Sequence, residues 1–510
     1  MVRLFFLVSS FVIILANYLI SLFFPPIWYS MILFGPLMVI GFLDMIQVRH
    51  TISRNFPVIG HLRYLMEDIR PEINQYFVES NSSGVPFSRE DRSVVYQRAK
   101  KDVDTIPFGT QKHVYDVGYE FVAHSLVPTH IPVQDMRITI GGPACSKPYS
   151  ASLLNIGAMS FGSISKNAVM ALNRGAKMGN FAHNTGEGGL AKYHLQGGDV
   201  IWQIGTGYFG CRTPDGAFSE KDFVQKATLP NVKMIELKLS QGAKPSHGGI
   251  LPAAKISREI SEIRGVPMGK DCNSPPAHST FDNPVGLLKF IARLRELSGG
   301  KPVGFKLCVG KPREFVAICK AMIKTGITPD YIEIDGGEGG TGAAPLEFSN
   351  HVGSPLTEGL ILVQNCLTGF SLRKHIRLIC SGKVTTGFGM LKRLAMGADL
   401  CYSSRGMMLA LGCIQALKCN TNKCPVGLAT QDPLLTVGLV VEDKDQRVAN
   451  YHRHTIKSLA DLLGAIGLKG HEETRPWHIS RRVGLAQVKH YGEIYRFFIQ
   501  CLYWFRCFYV

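Results

Sequence analysis

Between Arg3 and Asp44 the chain carries no charged residue. This stretch of about 40 uncharged, mostly apolar positions is broken only at Pro25-Pro26, a pattern that predicts two membrane spans joined by a tight turn. Arg3 precedes the run and Arg49, His50 and Arg54 follow it. Positive residues on both flanks predict a hairpin with both ends in the cytoplasm, so the expected location is the inner (cytoplasmic) membrane with the remaining chain facing the cytoplasm. A cleaved signal peptide is the alternative, but the run is too long and no small-residue cleavage site follows the first span. Next, apolar residues recur at helical spacing at Leu62, Leu65, Ile69 and Ile73, with Pro71 marking a boundary between two helices. From about residue 150 the rhythm changes. Short β-rich runs end in glycine-rich loops and lead into helical segments, at 152–156, 179–183, 234–239, 304–308, 331–334, 376–380 and 399–402. About eight such strand–loop–helix units over roughly 290 residues predict an α/β fold, a (β/α)8 TIM barrel with its chemistry on the loops after the strands. The expected organisation is a transmembrane helical hairpin (1–45), a helical adaptor (46–145), the barrel (146–440) and a helical extension (441–510). The aromatic tail FFIQCLYWFRCFYV fits either a membrane interface or packing on the rest of the chain.

With 510 residues, 45% of them hydrophobic, the chain can bury a large core in more than one domain. The net charge of +17 is spread along the sequence, without an aromatic-plus-basic module for nucleic acid. The expected partners are therefore a membrane surface and acidic redox proteins. Thirteen cysteines in a chain this long do not make a secreted disulfide scaffold.

Three of those cysteines, Cys413, Cys419 and Cys424, stand in GCIQALKCNTNKCPVGLATQ. Thiolates at this spacing can reach one iron–sulfur cluster from a single loop, although buried structural thiols have the same look. After the last two strands come SGKVTTG and SSRG, where barrels commonly bind phosphate through backbone N–H groups. The loop GAMSFG after the first strand would lie under a flat ring. Lys306 on the fifth strand would point to the barrel centre, as a cation at N1 of a reduced flavin or as one half of a barrel-mouth salt bridge. Lys244 and Arg264 near a glycine-lined pocket would suit a dicarboxylate, or stand on the surface. The literal GTGYFG at 205–210 leads into a loop rather than a helix, so it is weak evidence for a dinucleotide.

Together QGAKP, NTGEGG, IDGGEGGTGAAP and C-x5-C-x4-CPVGLATQ resemble the FMN-binding synthase domain of glutamate synthases over roughly residues 150–440. Residues 50–145 resemble the short, membrane-anchored members of that family. The resemblance implies FMN, a 3Fe–4S cluster and reduction of 2-iminoglutarate, formed from 2-oxoglutarate and ammonia, with electrons from an external donor such as ferredoxin or a reductase subunit. By motif, Cys413, Cys419 and Cys424 would ligate the cluster. Lys244 and Arg264 would hold the 2-oxoglutarate carboxylates, and Glu187 would be the acid–base or positioning carboxylate. Gly157, Ala158, Met159 and Ser160 would line the flavin, with Lys306 near N1 and Asp335, Gly336, Gly337 and Thr341 at the mouth of the sixth strand. Gly382, Gly387, Ser404 and Arg405 would meet the phosphate. Membrane spans stand where large members of the family carry a glutaminase domain, which implies ammonia rather than glutamine as the direct nitrogen source. Leu190, His247 and Ile250 replace polar residues of the family pattern, which leaves room for a different imino or keto acid. A membrane-linked electron-transfer flavoprotein with no organic substrate is a third reading.

Overall fold

The computed structural model describes residues 2–102 and 105–498; the aromatic tail from 499 lies outside the described residues. The chain forms two compact units, Met1–Pro86 and Phe87–Val510.

In the first unit, helix Val2–Ser21 is followed by a 3-10 turn, Pro25–Ser30, that runs directly into helix Met31–Ile46. The stretches Val2–Ser21 and Pro25–Ile46, of 20 and 22 residues, are long and apolar enough to cross a membrane. Phe6 and Phe42 meet edge to face at 5.5 Å between the two helices, and Ser30 Oγ donates to Asn17 Oδ1 at 2.5 Å. After a short helix, Thr51–Asn55, a longer one spans Gly60–Ile73 and passes through Pro71, so the expected boundary falls elsewhere: the helix changes only at Asn74–Val78, where it widens to a π-turn. Proline this near a helix end forfeits one bond, to the carbonyl of Glu67, and Glu67 is exposed to water.

The second unit is built on a closed parallel barrel. Its strands are β1 (Leu154–Ile156), β2 (Ala182–Asn184), β3 (Asp199–Ile204), β4 (Val232–Lys238), β5 (Val303–Leu307), β6 (Tyr331–Asp335), β7 (Arg377–Ser381) and β8 (Leu400–Ser403). Closure is made by β8 against β1, with Cys401 opposite Leu154 and Ser403 opposite Ile156. The strands are buried on both faces, as parallel strands under a helical layer must be. β3 was not among the strands named from the sequence. It carries DVIWQI, but only a 3-10 turn, Lys192–His194, separates it from β2, so the strand–helix alternation lapses there. β3 does lead into GTGYFG, yet no helix opens until Glu220.

Each outer helix follows local rules. Lys166–Gly179 starts at Ser165, whose side chain accepts from the Ala168 N–H, and ends at Asn180 in the left-handed region. The 26-residue helix Val441–Ile466 packs on Lys166–Gly179 and on Arg89–Lys100, so residues 89–100 belong to the barrel unit. A long insertion between β4 and β5 carries QGAKPSHGG, a two-residue ladder of Ile250–Leu251 with Cys272–Asn273, and helix Arg258–Arg264.

Candidate active site

The loops after the strands converge at one end of the barrel, around a cleft lined by Glu187, Thr206, Lys238, Gln241, Ser246, His247, Gly248, Gly249, Pro275 and Pro276. Glu187 comes from the loop after β2. Its Oε1 lies 3.0 Å from the ammonium of Lys238, the last residue of β4, and Ser274 Oγ stands 3.5 Å from its Oε2. A side chain on Gly249 would collide with Glu187, its Cβ falling 2.1 Å from Oε1, so this glycine makes room for the carboxylate. Burial by itself would push the Glu187 carboxyl up, but Lys238, and then Arg264 and Lys244, outweigh it and hold it below the usual carboxylate range.

Lys244, in QGAKP, is buried and donates to the Ala343 carbonyl at 2.6 Å. Burial, then repulsion by Lys238, lowers its pKa to about 8. Arg264 reaches back under the β1 loop and donates to Ser160 Oγ at 3.3 Å and to the Phe161 carbonyl at 3.1 Å, its guanidinium over the ring of Phe209. Three cations thus surround one carboxylate. Lys244 and Arg264 are buried behind the lining of the cleft, so the charge around Glu187 is net positive, which suits a substrate bearing carboxylates. His247 lines the cleft; its ring packs on Phe348 and its Nδ1 lies 3.0 Å from the Gly248 carbonyl. Leu190 is buried in the core, and Ile250 pairs with Asn273 in the short ladder.

Beneath the cleft the barrel interior is charged. Lys306 on β5 lies 2.9 Å from Glu333 Oε1 and 3.1 Å from Asp335 Oδ2, both on β6. Burial opposes its charge, but Asp335, Glu333 and Glu236 outweigh that, and the ammonium keeps its proton well above the usual lysine range. Asp335 also accepts from the Gly242 N–H at 2.9 Å, which ties QGAKP to the β6 mouth; a Cβ on Gly242 would fall 1.8 Å from the Gly336 carbonyl oxygen. Glu236 Oε1 accepts from Asn184 and Gln203, each at 2.7 Å, and Glu333 Oε1 lies 2.7 Å from Ser381 Oγ. The other oxygen of each glutamate is buried without a donor. One proton shared between the two carboxyls satisfies both. In keeping with this, burial and then the Glu333 charge push Glu236 well above the usual carboxylate range.

The sign of that shift fixes a stability prediction. A carboxyl whose folded pKa exceeds its unfolded value binds more protons when folded, so its contribution to stability is lost as pH rises from the unfolded pKa towards the folded one. Glu236→Gln supplies a permanent N–H in place of the shared proton. The thermal midpoint of E236Q should therefore gain on that of the native protein between about pH 5 and about pH 8. A constant difference across that range would mean the pair shares no proton.

Around the last two strands, Lys383 (φ 51°) and Arg405 converge. Burial, then repulsion from Arg405, lowers Lys383, and burial lowers Arg405. Arg405 donates to the Glu338 carbonyl at 2.8 Å and lies over the ring of Phe87. Gly387 opens helix Gly387–Ala395, with Thr386 accepting from the Gly389 N–H at 3.0 Å. Gly157 donates to the Ser403 carbonyl and so joins the β1 loop to the end of β8. Gly337 is bonded to the Ser354 carbonyl, and Thr341 lies exposed in the same β6 loop.

Cys413, Cys419 and Cys424 lie in a loop pinned on both sides. The Tyr96 hydroxyl donates to the Cys413 carbonyl at 2.6 Å, Asn422 donates to the Ala254 carbonyl, and Gln431 donates to the carbonyls of Gly162 and Ile164. Gln415, Leu417 and Asn422 are all left-handed, at φ 57°, 56° and 62°. The Gln415 N–H points at Cys413 Sγ at 3.4 Å. Burial pushes Cys413 up to about 11 and raises Cys419, and the three sulfurs are near enough to repel one another as thiolates. Lys255 is buried beside them; burial lowers it to about 8 against the pull of Cys419 and Cys424. Among the described residues, no group of three His, Cys, Asp or Glu closes on a single metal ion.

Sequence reasoning missed Lys238, Lys255, Lys383, Glu236 and Glu333. The first and third carried a signal, since a lysine at or just past the C-terminal end of a barrel strand faces the reactive side.

A model of the conserved region in glutamate synthase matches residues 135–469. The glutamate synthase large subunit-like protein YerD of Bacillus subtilis is 38% identical over 481 residues, 86% of this chain and 90% of that one. An archaeal-type glutamate synthase [NADPH] of Thermotoga neapolitana is 35% identical over 320 residues, 62% of this chain and 60% of that one. A ferredoxin-dependent glutamate synthase of Antithamnion sp. is 34% identical over 274 residues, 54% of this chain and 17% of that one.

Proposed function

Because this chain belongs to the glutamate synthase family, we propose that it is a membrane-anchored enzyme that reduces 2-iminoglutarate, formed from 2-oxoglutarate and ammonia, to glutamate. It is an oxidoreductase of the class acting on CH–NH2 donors. The observation that carries the reading is the ionised Glu187 in the cleft at the barrel mouth, paired with Lys238 and with Lys244 and Arg264 buried near it.

The residues present fit both expected groups. Lys383 and Arg405 are two partly desolvated cations with no carboxylate at ion-pair distance among the described residues, at the start of a helix, which suits a phosphate dianion. Gly157 to Ser160 and Lys306 would meet the ring end of FMN, and Gly382, Gly387, Ser404, Lys383 and Arg405 its phosphate. The three cysteines, backed by Lys255 and by the Gln415 N–H, form a loop suited to thiolates, and each thiol of a cluster reaches a different iron rather than one shared ion. Bound FMN would supply the hydride, and a 3Fe–4S cluster would bring electrons to it singly.

The protein's own groups do the rest. Lys244 and Arg264 hold the two carboxylates of the keto acid and so fix C2 in the cleft. Glu187, ionised at rest, accepts a proton from ammonium or holds the N–H of the iminium formed at C2. Lys238 keeps Glu187 ionised and in place. The donor of electrons is external, a ferredoxin or a reductase subunit, and the net charge of +17 would steer an acidic carrier. The hairpin Val2–Ile46 would hold the barrel at the cytoplasmic face of the membrane. His247 in the cleft favours a second reading, the same chemistry on another imino or keto acid.

The test is single turnover. Full-length protein in detergent, reduced anaerobically, should be reoxidised by 2-oxoglutarate with ammonium and not by either alone. Reoxidation only by a different keto acid would establish the second reading, and none by any would reject both. In the same preparation Cys419→Ser should lose iron and its visible absorbance while keeping flavin.

A further inference from the structure

Among the described residues, nothing covers the apolar face of the helix Gly60–Ile73. Leu62, Leu65, Met66, Ile69, Ile73 and, past the π-turn, Phe77 are 36–85% exposed. At 100° per residue, the first five fall on a stripe no wider than about 120°, while Arg63, Glu67, Asp68, Arg70 and Glu72 take the other side. Arg63 and Glu67 pair along that polar face at 2.7 Å. A helix of 14 residues exposed all round is marginal in water and gains its stability from what covers its apolar stripe.

The structure says where that stripe begins. Asp44 is two residues from the end of the second apolar helix. His61 Nε2 lies 2.8 and 3.0 Å from its carboxylate oxygens, and the Val58 N–H donates to Asp44 Oδ2 at 2.9 Å. Val58, β-branched, is held at φ 66° to make that turn. The chain leaving the second helix is therefore folded back through the short helix Thr51–Asn55, and Gly60–Ile73 starts at the level where the second helix ends.

We propose that Gly60–Ile73 is an in-plane helix that lies on the bilayer beside the second span, its Leu62–Ile73 stripe sunk to the boundary of headgroups and acyl chains and its charged face in water. The proposal rests on the membrane-anchored reading of the hairpin. Its partner is the lipid surface itself. Between Gly60 and Ile73 two arginines face three carboxylates, so apolar burial rather than attraction to anionic lipid drives the contact, and zwitterionic phosphatidylcholine suffices. The consequence is a second attachment that sets the height of the chain leaving the membrane.

The test uses the full chain in phosphatidylcholine vesicles. Wild-type protein that resists alkaline carbonate extraction establishes the hairpin independently; complete extraction would instead overturn the anchored reading and the proposal with it. In anchored protein, the emission that Leu65→Trp adds to the wild-type spectrum should be blue-shifted. It should be quenched strongly by lipid brominated near the headgroup end of the acyl chain, less by lipid brominated near the tail end, and little by aqueous iodide. Replacing a third of the lipid with phosphatidylglycerol should leave this unchanged. Quenching by iodide and not by lipid would place the stripe in water and overturn the proposal. Protection from both would mean that protein covers it, another copy or the barrel unit, and would overturn it equally.

Discussion

Lys306→Met is expected to destabilise the barrel by about 3–5 kcal/mol, because it strands Glu333 and Asp335 in the interior without their cation. Glu333 and Lys306 are both buried, and the ammonium bridges the two carboxylates at 2.9 and 3.1 Å. The substitution keeps most of the volume of the side chain, so lost packing contributes little and the uncompensated charge dominates. Against a typical total stability of about 5–15 kcal/mol, such a loss consumes much of the margin. It should appear as a large fall in the apparent urea midpoint of detergent-solubilised protein, and as poor yield. Adding Glu333→Gln in the same chain removes one of the stranded charges while leaving an acceptor for Ser381, and the double variant should recover part of the loss. If Lys306→Met unfolds at the native midpoint, the ion pairs are not what holds this end of the barrel.

The same cluster shows where the sequence is readable and where it is not. Lys306 was recognisable as an inward cation because it stands near the end of a short apolar strand before a glycine-containing loop. Glu236 and Glu333 were not, although each interrupts an apolar run (MIELKL and YIEID) in the middle of a strand. Nothing local distinguishes a solvated glutamate from one that faces the barrel axis. That depends on which strands close on which, and only closure brings Asn184, Gln203, Ser381 and Lys306 to them. β3 was lost for a related reason, since the pattern looks for a helix before each strand and a 3-10 turn stands in its place. The cysteine loop was the opposite case. Its spacing is wholly local, so it was legible at once, while its partner Lys255 comes from a different insertion some 160 residues earlier.

Glu187→Gln is expected to slow the reoxidation of the reduced protein by keto acid and ammonium by about 10²–10⁴-fold, the usual worth of a positioned proton acceptor. The residue is buried, ionised by Lys238, Arg264 and Lys244, and set by Gly249 at the floor of the cleft. An amide at that position keeps the shape but can neither take a proton from ammonium nor balance a positive charge on the iminium nitrogen. Chemical reduction of the flavin requires neither property, so it should proceed at the native rate and with the native flavin content, and that comparison separates a catalytic defect from misfolding. The pH profile adds a second signature. Glu187 is held below the ordinary carboxylate range, so its requirement for ionisation leaves kcat/KM of the native protein level through mildly acid pH. Burial and Lys238 lower the pKa of Lys244 to about 8, so with Lys244 in its proposed role kcat/KM should fall as pH rises through that value, when its ammonium loses the proton that would hold a substrate carboxylate. In E187Q the alkaline fall should move to lower pH, because the carboxylate that favours the protonated lysine is gone. Native-rate reoxidation in E187Q would remove Glu187 from the chemistry and leave the three cations as a binding site alone.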